Sequence, residues 1–187
     1  ERQKSQKKLG ISISFLTLCK VLLIKSEDMK KLTITAIINR LTYDMLNETD
    51  KKLIDGAKKA TESSYSPYSQ FAVGAAALLA NGTIVSGSNQ ENAAFPSGTC
   101  AERTTRFYAN SQHRDQAVHT LAVAAYTQGA FLDIPISPCG ACRQVILEVE
   151  KRYNHPIRIL LFGENEIYEI KSIRDLLPLS FDEDFLK

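Results

Sequence analysis

The chain predicts an α/β protein built around a layered sheet. Three observations lead there: β-branched and apolar runs recur, amphipathic segments of helical spacing lie between them, and turn residues separate the two kinds. At 187 residues, one domain with an ordinary core is expected. Hydrophobic content of 44% and charged content of 24% place the chain with globular proteins rather than disordered ones. A net charge of +2 with no basic run above background argues against a nucleic-acid partner.

Residues 1–28 stand apart. A basic start (Arg2, Lys4, Lys7, Lys8) precedes an apolar run from Leu9 to Ile24. Lys20 interrupts that run, no Ala-x-Ala-like cleavage site follows, and the run is short of the roughly 20 apolar residues a membrane helix needs. Met29-Lys30-Lys31 has the form of a natural start. The expectation is therefore a non-native or disordered extension over 1–28 and a single domain over 29–187. Cys19 falls in the extension and receives no role.

The remaining elements follow in order. Leu32 to Leu41, rich in Thr33, Ile34, Thr35, Ile37 and Ile38, predicts a strand. Asn47-Glu48-Thr49-Asp50 offers capping residues, and Leu53, Ile54, Ala57 and Ala60 recur at helical spacing, so a helix is expected over about 50–63. Pro67 keeps 64–69 a loop. Phe71–Leu79 predicts a closely packed strand, Asn81-Gly82 a hairpin turn, and Thr83–Ser88 the returning strand. A long polar loop over 89–98 is a natural place for binding residues. A helix over about 100–111 and a buried strand over 118–126 come next. Pro135 and Pro138 enclose a loop before a helix over 139–153, with Val145, Ile146 and Val149 inward and Pro156 ending it. Strands over 157–162 and 167–170 and a terminal helix over 173–177, stopped by Pro178, complete the pattern.

The chemistry concentrates between Cys100 and Cys142, which hold three of the four cysteines. Cys139-Gly140-Ala141-Cys142 is a two-thiolate chelate, because both sulfurs reach one ion from a single turn. Zinc takes four tetrahedral ligands, and a catalytic zinc keeps one for water, so Cys100, Cys139 and Cys142 plus water fit. Each thiolate lies at a predicted helix start, where unpaired N–H groups and the helix dipole favour the anion. Thiolates of this kind point to a reducing compartment rather than a disulfide scaffold. Glu102 is placed to move the water's proton, and Arg103 to offset the charge of three thiolates. Mid-helix, Cys100 and Glu102 would diverge by about 200°; at a helix start they can converge. Two other readings stand beside this one. A closed structural zinc would need His113, His119 or His155 as fourth ligand, and a redox pair would leave Cys100 and Glu102 unexplained.

Taken together, Cys100-Ala101-Glu102-Arg103 and Pro138-Cys139-Gly140-Ala141-Cys142 resemble the cytidine deaminase family in its three-cysteine, homotetrameric form. The resemblance covers about residues 50–181. It includes the stretch from Tyr65 to Ala76, Asn89-Gln90-Glu91-Asn92-Ala93, Cys142-Arg143-Gln144 and Leu176-Leu177-Pro178-Leu179-Ser180-Phe181. It implies a three-layer α/β/α fold with a central mixed sheet of about five strands. The implied activity is hydrolytic deamination of free cytidine and deoxycytidine to uridine and deoxyuridine, a step of pyrimidine salvage. The implied cofactor is one Zn2+ per subunit on Cys100, Cys139 and Cys142, with Glu102 shuttling protons and Arg103 tuning the thiolates. Asn89 and Glu91 would hold the ribose hydroxyls, Phe71 and Ala101 would meet the substrate, and Phe181 would reach a neighbouring subunit's base. A cytoplasmic homotetramer with shared active sites follows from the same resemblance, without nucleic-acid or membrane partners. Phe95 departs from the family's frequent Tyr, and 29–48 extend beyond its minimal core. The competing functions are a deaminase of another small aminopyrimidine of the blasticidin type, an editor of polynucleotide, and a structural zinc module.

Overall fold

A computed structural model of the chain describes residues 30–186, so the expectations for 1–28 and for Cys19 lie outside the described residues. Two compact units meet in sequence at Ile34 and Thr35. In the first, residues 30–34 are irregular and exposed.

The second unit is a seven-stranded mixed sheet with helices on both faces. Its strands are β1 (Asn39–Leu41), β2 (Ala72–Leu79), β3 (Ile84–Ser88), β4 (Val118–Thr127), β5 (Ala130–Phe131), β6 (Arg158–Phe162) and β7 (Ile167–Ile170). The spatial order is β1-β7-β6-β4-β2-β3, with β5 folded onto β4. Only β4 and β6 run parallel; every other pair is antiparallel. The helices are α1 (Glu48–Ala60), α2 (Ala101–Gln112) and α3 (Gly140–Tyr153).

Alternation along the strands sorts the core into two layers. Ala75, Ala77, Leu121, Val123, Ile159 and Leu161 pack with Ala101 and Ala109 of α2 and Ile146, Leu147 and Val149 of α3. The intervening Ala76, Ala122, Ala124, Leu160 and Phe162 pack with Leu53, Ile54 and Ala57 of α1. The central strands are buried on both sides, which is why they read as near-continuous apolar runs. Helix α1 lies so close to β2 that a methyl on Gly74 would come within 2.0 Å of the Ala57 carbonyl oxygen. Glycine is obligatory at that contact.

The three-layer α/β/α class holds, with seven strands instead of about five. One extra strand, β5, arises because Gln128 and Gly129 both take positive φ (51° and 85°) and turn the chain straight back on β4. The strand expected over 32–41 is realised only at Asn39–Leu41. Its partner β7 is four residues long and Asn39 already pairs with Glu169, so Ile38 would face its last residue, Ile170, and Ile37 has none beyond it; both stay exposed. The expected terminal helix over 173–177 is a single 3-10 turn, Ile173–Asp175, because Pro178 bars a further helical residue before it. In α3, Leu147 is buried where Val145 was expected; Val145 is only half-buried. Asn47 caps α1 by accepting the Asp50 N–H at 2.9 Å, as its type and position suggest. Among the described residues no helix is long and apolar enough to cross a membrane.

Candidate metal centre and substrate cavity

Helices α2 and α3 cover the same face of the sheet, and their N-termini converge. Cys100 is the N-cap of α2 and Cys139 the N-cap of α3, both with extended backbone, while Cys142 sits buried one turn into α3. The Sγ atoms of Cys100 and Cys139 are 3.8 Å apart, those of Cys139 and Cys142 3.5 Å, and all three lie within 4.8 Å of one another. Tetrahedral zinc with sulfur ligands at 2.3 Å would set each sulfur pair about 3.8 Å apart. The donor set therefore fits that ion in number, softness and spacing. Among the described residues this is the one cluster that could hold a metal.

The extended backbone at Cys100 (φ −71°, ψ 156°) removes the angular conflict between Cys100 and Glu102. Glu102, 5% exposed, lies in the first turn of α2. Burial pushes its carboxyl above the ordinary carboxylate range, and the neighbouring Cys100 charge adds to that. A carboxyl poised upward in this way both accepts and returns protons nearer neutrality. The hydrogen bond with Cys142 draws the Cys100 thiol down to about 5, with Arg103 assisting. The same bond, together with burial, pushes Cys142 up. Protons are thus shared unevenly over the thiols until a cation replaces them. Arg103 places Nη2 3.2 Å from the Gly98 carbonyl and 3.8 Å from Cys100 Sγ.

A cavity of about 500 Å³ opens beside Cys100 and Arg103. Asn89 and Glu91 line it, with Tyr68, Ser69, Asn92, Phe95 and Thr99. Asn89 is also a scaffold: its Oδ1 accepts from Ser64 Oγ (2.6 Å) and the Val73 N–H (2.8 Å), and its Nδ2 donates to the Phe71 carbonyl (2.9 Å). An amide has two donors and two acceptor sites, so one N–H remains for a ligand. Glu91 Oε2 accepts from the N–H groups of Tyr68 and Ser69 at 2.9 and 3.2 Å. The Ser69 hydroxyl first, and then these two N–H groups, hold its carboxyl below the ordinary range.

The structure brings together Cys100, Cys139, Cys142, Glu102 and Arg103, and it places Asn89 and Glu91 on the cavity they open into. Phe71 and Phe181 do not line that cavity. Phe71 is half-buried beside it, and Phe181 is exposed on the C-terminal segment, stacked on Phe185. Ala101 is wholly buried in the core under α2. Tyr68 and Phe95, in edge contact at 6.0 Å, line the cavity although sequence reasoning assigned them no such place. Their signal is available: large aromatics exposed in polar loops.

Residues 47–154 match the family described as the cytidine and deoxycytidylate deaminase zinc-binding region. The chain belongs to that family. It is 43% identical over 136 residues to a cytidine deaminase of Sporosarcina psychrophila, covering 73% of this chain and 93% of that protein. A cytidine deaminase of Halalkalibacterium halodurans is 46% identical over 97 residues, covering 52% of this chain and 69% of that protein. The crystal structure of cytidine deaminase from Burkholderia pseudomallei superposes with a TM-score of 0.59 at 39% identity, covering 70% of this chain and 97% of that one. The family's description names a zinc-binding region, and Cys100, Cys139 and Cys142 are the described residues that could hold such an ion.

Proposed function

We propose that the protein is a zinc-dependent cytidine deaminase, converting cytidine and deoxycytidine with water to uridine and deoxyuridine and ammonia. One observation carries the reading: a buried carboxyl, Glu102, stands beside three convergent thiols, and the first of these, Cys100, lines a nucleoside-sized cavity. Zinc held by Cys100, Cys139 and Cys142 supplies the Lewis acidity that makes water a competent nucleophile near neutral pH. Glu102 would take one proton from the attacking water and pass it to ring N3 as the C4–O bond forms, then take the proton of the new C4 hydroxyl and pass it to the amine as the C4–N bond breaks and ammonia leaves. Arg103 offsets the thiolate charge. Asn89, through its remaining N–H, and Glu91, through its carboxylate, hold the sugar hydroxyls, which favours a free nucleoside over a polymer or a compound lacking ribose.

In this proposal the working unit is a homotetramer whose Phe181 contacts a neighbour's substrate. The exposure of Phe181 away from its own cavity supports that role, as do Phe107 and Tyr108, exposed on α2. The free thiols support a reducing, cytoplasmic setting. Phe71 and Ala101 do not line the cavity themselves; they support its lining residues, Phe71 through the carbonyl that accepts from Asn89 Nδ2 and Ala101 as the residue after Cys100 in α2.

The test is the ultraviolet absorbance of cytidine with purified protein, before chelation, after it, and after zinc is returned. Loss of the cytidine band that stops with chelation and resumes with zinc is expected. A zinc-loaded protein that leaves cytidine unchanged while deaminating a ribose-free aminopyrimidine would contradict the assignment.

A further inference from the structure

The residue after the last thiolate is Arg143, in the first turn of α3. A cation there opposes the helix dipole, so helix stability does not account for it. Among the described residues no carboxylate pairs with it. Its guanidinium instead makes three bonds: Nε to the Pro138 carbonyl at 2.8 Å, Nη2 to Ser137 Oγ at 2.9 Å, and Nη1 to the Leu176 carbonyl at 2.7 Å. The next residue, Gln144, donates from Nε2 to the Phe181 carbonyl at 2.8 Å.

These bonds matter because of where Cys139 sits. Cys142 is held by burial and Cys100 by Arg103, but Cys139 is exposed and follows an irregular loop. Among the described residues, no backbone–backbone hydrogen bond anchors 134–138. Pro135 and Pro138 have no N–H to give. The polar anchoring of the loop's last two residues is the Arg143 fork.

We propose that Arg143 is a positioning residue that locks the Cys139 loop to the C-terminal segment, so that the metal loop and the segment bearing Phe181 hold one geometry. This rests on the zinc deaminase reading. Three acceptors in different directions suit a planar, five-donor guanidinium and not an ammonium. Partners that orient metal ligands in this way are worth roughly 10- to 100-fold in metal affinity or activity.

The experiment titrates the zinc-loaded full chain with a chromogenic chelator and follows amide hydrogen exchange over 172–182, thermal melts confirming that each variant folds. Arg143→Ala should release zinc at roughly 10- to 100-fold lower chelator concentration, with faster exchange around Leu176. Arg143→Lys, which keeps the charge but loses the fork, should behave like Arg143→Ala, and it is the variant read if Arg143→Ala does not fold. Gln144→Ala should loosen Phe181 and raise the KM for cytidine while zinc is retained at the wild-type chelator concentration. Full rescue by Arg143→Lys would show charge, not position, and overturn the proposal. So would wild-type zinc retention and exchange in Arg143→Ala, or zinc loss in Gln144→Ala equal to that of Arg143→Ala. Zinc retention and exchange are read without substrate. A chain that binds zinc but leaves cytidine untouched therefore fails the deaminase reading alone.

Discussion

Two glutamates, one in the first turn of α2 and one in the last turn of α3, are buried almost equally, at 5% and 7% exposure. Glu150 is fully engaged: Oε1 accepts from the Ile157 and Ile173 N–H groups at 2.8 and 3.0 Å, and Oε2 from Ser172 Oγ at 2.8 Å. It ties α3 to the start of β6 and to the C-terminal turn. Glu102 has no such set of donors; it meets thiols, and burial pushes its pKa up. Burial alone does not tell a structural carboxylate from a chemical one. What the oxygens meet does.

The comparison is sharpened most strongly at the thiols. Cys142→Ser should lose zinc and, with it, all measurable cytidine turnover, checked by metal analysis and absorbance. Turnover in a zinc-free variant would dissolve the distinction. At the other carboxylate, Glu150→Ala leaves two buried N–H groups unpaired, and a loss of about 3–5 kcal/mol is expected in urea unfolding. The kcat of its folded fraction should stay near wild type. Ser172→Ala removes one donor from the same carboxylate and should cost about 1.5 kcal/mol.

The smallest effect concerns pH and the metal-free chain. The folded-state pKa of Glu102 lies above its unfolded value, so the native state holds its proton to higher pH. The stability linked to that proton is complete below the ordinary carboxylate value and is lost as pH rises through the raised one. Melting temperatures of metal-free Glu102→Gln should therefore gain on wild type as pH rises from acid to neutral. Equal slopes for Glu102→Gln and wild type would remove the electrostatic half of the comparison.

Much of this was legible in the residues. Near-continuous apolar runs located the central strands, and helical spacing with helix-start residues located the three helices of the described residues, because both faces of the sheet are covered and burial leaves a strong pattern. The Cys-x-x-Cys spacing and helix-start positions led to the thiolate cluster. What escaped depends on partners distant in sequence. The β-branched 32–41 segment has β propensity throughout, but β7 offers an edge only to its last residues. Gln128-Gly129 is a weak turn signal that tertiary pairing with β4 makes decisive. Asn89 read as a loop residue; that its amide ties Ser64, Phe71 and Val73 together is visible only in three dimensions, as is the reach of Arg143 to Leu176.

The most direct test of the account is cytidine turnover by Glu102→Gln loaded with zinc, with metal content measured on the same sample. The account predicts one zinc per chain, as in wild type, and a turnover reduced by roughly 10²–10⁴-fold or more, the scale of a positioned proton carrier. Wild-type turnover with zinc in place would contradict it, and Glu102 would join Glu150 as a structural carboxylate.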